Sequence, residues 1–296
     1  MNGSLDSRLV RARPVIGCLV TTGVLLAATA TRAAELPTLA GPALGTTYRV
    51  ILAADLPGMS RGAVHREIEQ ELARIDRALS AWRPDSDVTR FNEAGPDEWV
   101  EVADDLVAVV EIARRIHTRT DGLFDITVAP FDSGRPIGLG HVSVRTTPPA
   151  LAKTQAGIRL DLGGIGPGYA VDCIGARLET LGSAGHLVEL GGEVRAWGQR
   201  PDGTQWRVWI PAADAAAGRP AGRSAGQTVD LAPGEALGTA SCKPGRSPID
   251  PRTGRLLTSG RLRATVRALT CAEADALAVA TLLSGDAGDA TAAGDP

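Results

Sequence analysis

The segment at residues 163–168 constrains the fold more than any other, because four of its six residues are glycine. Residues 158–162 precede it, alternate apolar with charged side chains and predict a strand, and a helical pattern follows it to about residue 181. Glycines between a strand and a helix predict a tight turn, and they would also let backbone N–H groups approach a phosphate. The segment matches neither a P-loop nor a secure dinucleotide-binding fingerprint. Taken alone it predicts a turn, with phosphate binding as the alternative.

The rest of the chain mixes helical and strand patterns. Helical periodicity predicts further helices at residues 62–80, 104–118 and 271–283. Alternating apolar residues predict strands at residues 46–52, 186–190, 194–197, 206–210 and 264–269, with the middle three forming an antiparallel meander. Strands and helices do not alternate regularly, so we expect an α+β fold in which antiparallel sheets and packed helices interleave in one domain, residues 35–284.

Three segments have the composition of loops or termini. Residues 121–141 are rich in glycine and proline and predict a long surface loop, a kind of loop that often serves a functional site. Residues 211–234 are rich in Ala, Gly, Pro and Ser and predict a flexible hairpin insertion. Residues 285–296 have the composition of a disordered tail.

Charge and cysteine content exclude some functions. The formal net charge is −3, and the basic residues form no stripe of the kind that binds nucleic acid, so we expect no nucleic-acid partner. Beyond the first 34 residues the cysteines are Cys173, Cys242 and Cys271, which have no Cys-x-x-Cys spacing and predict no zinc site. Three partly buried thiols and a single disulfide are both compatible with this pattern.

Residues 1–34 have the pattern of an export signal. Arg8, Arg11 and Arg13 precede an apolar run at residues 15–28 that is short and interrupted for a membrane span. Cleavage after Ala30 or Ala34 would release a periplasmic protein. An uncleaved signal that anchors the protein in the inner membrane is the main alternative, and lipid modification of Cys18 is another.

Two more motifs have residue types suited to phosphate chemistry. Asp275 lies in the first turns of the last predicted helix, where it could bind a divalent cation or act as a solvated charge near the helix N-terminus. Residues 249–254 read Ile-Asp-Pro-Arg-Thr-Gly, which predicts a turn. Neither motif is specific on its own.

In their order along the chain, however, these motifs resemble those of the FAD:protein FMN transferases, often called ApbE proteins. The resemblance covers roughly residues 43–285. The matching segments are Leu-Gly-Thr-Thr-Tyr at 44–48, Leu-Ser-Ala-Trp-Arg-Pro-Asp-Ser-Asp at 79–87, Thr-Asp-Gly-Leu-Phe-Asp-Ile-Thr at 120–127, Asp-Leu-Gly-Gly-Ile-Gly-Pro-Gly-Tyr-Ala-Val-Asp at 161–172, Leu-Gly-Gly-Glu at 190–193, and the segments at 249–254 and 270–278.

The resemblance implies an enzyme that binds FAD with Mg²⁺, transfers FMN to a Thr or Ser hydroxyl of an acceptor protein and releases AMP. By similarity, Asp275 is the catalytic, metal-binding residue, and the carbonyl of Gly164 is a second ligand. The position of a third ligand, usually Thr, is Val279, which offers no side-chain oxygen. The residues matching FAD contacts are Leu44, Trp82, Leu123, Phe124, Asp125, Asp161, Pro167 and Ile249.

The sequence departs from the family pattern at several positions of this implied site. Besides Val279, Ser247 replaces the usual His, Pro167 replaces a Lys, and the loop at residues 241–246 is shortened. Two other activities are therefore compatible with the pattern: a flavin-binding homologue that no longer transfers FMN, and a pyrophosphatase that splits FAD into FMN and AMP with water.

Overall fold

The computed structural model describes residues 35–128, 134–211, 226–242, 247–257 and 263–285. The predicted export signal and all but the first residue of the predicted tail lie outside these residues. The helices are α1 Arg61–Leu79, α2 Asp87–Glu93, α3 Asp104–Arg119, α4 Gly166–Thr180 and α5 Cys271–Ser284. The strands are β1 Thr38–Ala43, β2 Thr46–Leu52, β3 Val100–Glu101, β4 Val142–Thr146, β5 Pro149–Lys153, β6 His186–Leu190, β7 Glu193–Trp197, β8 Trp206–Pro211, β9 Gly226–Leu231, β10 Ala236–Ser241, β11 Ile249–Asp250, β12 Arg255–Leu256 and β13 Arg263–Ala268.

A six-stranded antiparallel sheet organises the structure, in the order β1-β2-β6-β7-β10-β13. Helices α4 and α5 pack on one face of this sheet, and α1 packs in turn against α4. The other face is covered by the β8–β9 hairpin, where Trp206 packs with Leu187 and Ala196. Because successive side chains of a strand point to opposite faces, β6 and β7 supply apolar residues to both layers. The architecture confirms the predicted α+β class.

The predicted helices form close to their expected bounds. In α1 the residues Val64, Ile68, Leu72 and Ile75 lie on one buried face, as their spacing requires. The Ser60 side chain accepts a hydrogen bond from the N–H of Ala63 (3.2 Å) and so satisfies one of the free donors at the helix start. Short helix α2 was not predicted. Within the described residues, none of the helices combines the length and apolar character required to cross a bilayer.

The predicted strand at residues 158–162 is wrong, although its residues are mostly buried. The segment is extended, but side chains make the hydrogen bonds that a neighbouring strand would make. The Asn92 amide accepts from the N–H of Leu160 (2.7 Å) and donates to its carbonyl (3.0 Å), and Lys153 Nζ donates to the Ile158 carbonyl (3.0 Å). The apolar side chains of a segment indicate that it is buried, but they do not indicate which groups form hydrogen bonds with its backbone.

The predicted meander is correct only for its first two strands. Strands β6 and β7 are antiparallel neighbours, whereas β8 leaves the six-stranded sheet and pairs with β9 in a separate two-stranded sheet. Residues 226–231, placed in the flexible insertion by their composition, form β9. A third sheet has the order β3-β5-β4, and β11 pairs with β12.

Candidate functional site

Asp275 lies where α5 meets the start of α4. Its Oδ2 accepts a hydrogen bond from the backbone N–H of Gly168 (3.2 Å). Gly168 is needed here because a Cβ at this position would lie 2.4 Å from the carbonyl oxygen of Cys271. On the other side of α5, a Cβ on Gly238 of β10 would lie 2.2 Å from the backbone nitrogen of Asp275. Two glycines thus let a helix and a strand approach Asp275 more closely than any other residue would allow.

The environment of Asp275 disfavours its charged form. The side chain is only 4% exposed, and burial raises its pKa well above the usual range, with the nearby buried Glu193 raising it further. The hydrogen bond from Gly168 opposes this shift. Asp275 Oδ1 accepts no hydrogen bond from the described residues, so one carboxylate oxygen is available to another ligand. Two neighbouring buried carboxyl groups favour a cation as that ligand.

The glycine-rich turn brings Gly164 next to the α5 helix. A Cβ on Gly164 would lie 2.9 Å from Cγ2 of Val279 and 3.6 Å from the Phe124 ring. Asp161 shapes the turn by accepting a hydrogen bond from the N–H of Gly163 (2.8 Å). The structure therefore places Gly164, Val279 and Phe124 together, one helical turn along α5 from Asp275. The methyl group of Val279 adjoins Gly164, at the position where the resemblance expects an oxygen ligand.

Asp125 is used to organise the loop that carries Leu123 and Phe124. Its Oδ1 accepts from the backbone N–H (2.8 Å) and the hydroxyl (2.6 Å) of Thr127, and its Oδ2 accepts from the N–H of Leu139 (3.1 Å). These bonds join the two described ends of the predicted long loop. The carboxylate is buried, so its observed function in this structure is to fix the loop.

Leu44 forms the tip of the β1–β2 hairpin. Its φ of +48° and the φ of +77° at Gly45 give the left-handed conformation that a two-residue hairpin turn requires. Between this hairpin and α1 lies a cleft of about 490 Å³, whose lining includes Leu44, Thr46, Leu72 and Asp76. The predicted FAD contact Leu44 thus borders a cavity that could accept a ring system.

Trp82 follows α1 and is 83% exposed, so its ring has surface available for stacking on a ligand. Its neighbour Arg83 pairs with Asp85 (2.9 Å) and Asp76 (3.5 Å), which ties this loop back to α1. The remaining predicted residues lie on separate elements: Pro167 in the first turn of α4, and Ile249 in the two-stranded β11–β12 sheet. Ser247, at the position of the usual His, contacts the Cys242 side chain.

Sequence reasoning missed the roles of several residues that support the site. Asp172 is the last residue of the motif at 161–172, and the motif indicates no role for it. In the structure Asp172 accepts hydrogen bonds from the backbone N–H groups of Cys271 (2.9 Å) and Ala272 (3.0 Å) at the start of α5. Arg195 pairs with Asp172 at 2.6 Å. Lys153 and Asn92 hold the segment that leads into the glycine-rich turn. Most of their partners are more than 60 residues away in sequence, as Asn92 is from Leu160 and from Lys153, so no local pattern indicates these contacts.

The arrangement is suited to binding a cation and a phosphate together. Among the described residues, no group of three or more His, Cys, Asp or Glu side chains could hold a metal ion. A cation here would therefore use no more than two carboxylates, together with backbone carbonyls and water, which is a donor set that Mg²⁺ accepts. The donors present thus fit a magnesium ion at Asp275 and Gly164, with no side-chain oxygen from Val279.

Comparison with known proteins identifies the family of this chain. The model of the ApbE family matches residues 44–295. The FAD:protein FMN transferase of Vibrio cholerae is 28% identical over 89% of this chain and 86% of its own length, and that of Klebsiella pneumoniae is 29% identical over 92% and 85%. The solved structure of the flavin transferase ApbE from Vibrio cholerae superposes with a TM-score of 0.72 at 27% identity, over 84% of this chain and 87% of that one. The chain belongs to the ApbE family.

Proposed function

We propose that this protein is an FAD:protein FMN transferase. The observation that carries the proposal is the position of Asp275, buried against Gly168 with one free carboxylate oxygen, in a chain that aligns over most of its length with proteins of that name. In the proposed reaction, a Thr or Ser hydroxyl of an acceptor protein forms a bond to the FMN phosphorus of FAD. The phosphoanhydride bond breaks, AMP leaves with the bond electrons, and the hydroxyl proton passes to solvent or to a base.

The residues of the candidate site have different proposed roles in this reaction. Asp275 and the Gly164 carbonyl would hold Mg²⁺, which when bound neutralises charge on the pyrophosphate and on the leaving phosphate. Phosphoryl transfer depends on alignment and charge neutralisation more than on covalent help from the protein. Asp125 and Asp161 keep the two loops that face the site in shape, and Trp82 and Leu44 offer apolar surface to the flavin or adenine ring.

The direct test is incubation of the purified protein with FAD and Mg²⁺, with and without an acceptor domain that carries a Ser/Thr flavinylation motif. Flavin fluorescence on the denatured acceptor and AMP release are both measured. Labelled acceptor with equimolar AMP is the expected result. FAD binding with neither product would contradict the proposal and leave a flavin-binding homologue.

A second candidate function is hydrolysis of FAD to FMN and AMP by water, which needs the same metal and no acceptor protein, and two departures from the usual site bring it into consideration. Val279 places a methyl group beside Gly164 where an oxygen ligand is usual, and Ser247 stands at the position of the usual His. AMP released at the same rate with or without acceptor, and no labelled acceptor, would identify this activity.

Restoring the usual side chains is expected to raise the rate of transfer. The double change Val279→Thr and Ser247→His should increase it about tenfold or more, since a positioned general base is typically worth about 10²–10⁴-fold. Thr matches Val in shape, so the packing against Gly164 is preserved. Initial rates of acceptor labelling measure the effect. Val279→Ala is the control, because it makes room without adding an oxygen; an equal gain from it would refute the ligand argument.

We propose further that the protein acts in the periplasm after export through residues 1–34, released or retained at the inner membrane. The supporting pattern is the Arg-rich start followed by the apolar run. N-terminal sequencing of the protein from the periplasmic fraction is expected to begin near Thr31 or Glu35. An intact Met1 on protein found only in the cytosol would contradict export.

A further inference from the structure

The first turn of α5 is capped by two different parts of the chain. Thr270 accepts a hydrogen bond from the N–H of Glu273 (3.3 Å) through its hydroxyl, which is the usual N-cap contact. The preceding two N–H groups, of Cys271 and Ala272, donate instead to the two oxygens of Asp172 on α4. A carboxylate from another helix therefore holds the start of α5.

The direction of Asp172 is itself fixed. Arg195 on β7 donates to Asp172 Oδ1 at 2.6 Å, donates to the Gly234 carbonyl at 3.3 Å and stacks on the Trp197 ring at 4.7 Å. Burial raises the pKa of Asp172, while Arg195 and the two backbone donors lower it. The Asp172 carboxylate thus bonds both Arg195 on β7 and the first backbone N–H groups of α5.

Helical spacing connects Asp172 to the candidate metal site. Gly168 and Asp172 are four residues apart on α4, so they lie on the same face, and Cys271 and Asp275 are likewise four apart on α5. The two faces meet at two points: Gly168 donates to Asp275, and Asp172 accepts from Cys271. Because Cys271 and Asp275 lie in the same helix, a shift of Cys271 away from Asp172 would also move Asp275 relative to Gly168.

We infer that Asp172 is a positioning residue of this enzyme: it fixes the first turn of α5 and thereby holds the Asp275 carboxylate against the glycine-rich turn for metal binding. The inference rests on the proposed function. Both oxygens of Asp172 are engaged by Arg195 and the start of α5, so its loss should weaken metal binding and leave the affinity of the flavin cleft unchanged.

The test uses Mn²⁺ as the metal probe, with the dissociation constant measured by electron paramagnetic resonance on the full-length protein with FAD present. Asp172→Ala is expected to raise this constant about 10- to 100-fold, as removal of groups behind a metal ligand typically does. FAD affinity without metal should change less than about twofold, and added Mg²⁺ should recover most of kcat, which is the signature of a displaced ligand. Asp172→Asn keeps one acceptor oxygen and should fall between wild type and Asp172→Ala.

The matched control is Arg177→Met, on the same helix. It breaks the ion pair of Arg177 with Glu67 (2.5 Å), which joins α4 to α1 and makes no contact with α5. Equal Mn²⁺ affinities for Asp172→Ala and Arg177→Met would overturn the inference while leaving the proposed function standing. A wild-type protein that binds no Mn²⁺ would overturn both. If Asp172→Ala does not fold, the comparison is made with Asp172→Asn.

Discussion

Replacing Asp275 by alanine is expected to reduce Mg²⁺-dependent flavin transfer by about 10³-fold or more, because a metal ion contributes several kcal/mol to stabilising charge in the transition state. Asp275 is a buried carboxylate whose Oδ1 accepts no hydrogen bond from the residues that the structure describes. The measurement is the initial rate of acceptor labelling at saturating FAD over a range of Mg²⁺ concentrations. Transfer at an unchanged rate would remove Asp275 from the mechanism.

Asp275→Asn is the matched control, since it keeps the size of the side chain and an acceptor for the Gly168 N–H. It should be as inactive as Asp275→Ala. Without divalent cations it should also unfold at a higher temperature than wild type at neutral pH, because burial and Glu193 raise the pKa of Asp275 and so make its charged form unfavourable in the folded protein. A lower unfolding temperature would mean that the negative charge is already compensated.

Acid is expected to destabilise the protein through His186, by up to about 3 kcal/mol. The residue is fully buried in β6, with Nδ1 3.0 Å from Ser183 Oγ and its ring stacked on Trp197 at 4.8 Å. Burial, helped by Arg195, lowers the pKa of His186 from its ordinary 6.5 to about 4, against an opposing backbone hydrogen bond with Gly175. Between these values the unfolded chain takes up a proton that the folded chain does not, so stability is lost as pH falls through this window.

The measurement is the free energy of unfolding by urea at pH 7, 5.5 and 4, for the wild type and for His186→Asn. The half-buried carboxyl groups of Asp172 and Glu189 have raised pKa values, because burial disfavours their charged forms, and they act in the opposite direction. Both proteins contain these carboxyl groups, so the difference between their free energies of unfolding depends on the titration of His186. The free energy of unfolding of the wild type minus that of His186→Asn should decrease by about 3 kcal/mol from pH 7 to pH 4. A constant difference would show that folding does not lower the pKa of His186.

The sequence predicted the helices well and the sheets incompletely, for a physical reason. Helical periodicity is local, so Val64, Ile68 and Leu72 are sufficient to indicate the buried face of α1. Strand pairing depends on distant residues: β7 lies beside β10, and β2 lies between β1 and β6. Alternation in residues 206–210 indicated a strand correctly but could not reveal that its partner is β9.

The candidate site shows the same limit. The resemblance to a family indicated Asp275, Gly164 and Val279 in advance, and in the structure Gly164 packs against Val279 while Asp275, one turn earlier on α5, bonds Gly168. The resemblance could not identify the roles of Asp172 or Lys153, which form hydrogen bonds to backbone groups of other segments. The capping pattern Thr-x-x-Glu at residues 270–273 was a readable signal for the start of α5.

The β8–β9 hairpin has a practical consequence for protein engineering. The chain leaves the six-stranded sheet after β7 and returns beside the same strand as β10, so residues 198–235 form a side branch of the topology. Trp206 anchors this branch on the face of the sheet opposite α4 and α5. A fluorescent reporter inserted between Pro211 and Gly226 would therefore interrupt no pairing within the main sheet, and its attachment point would lie on the hairpin that packs opposite α4 and α5. The fold itself provides a graft point through which enzyme and acceptor could be followed in living cells.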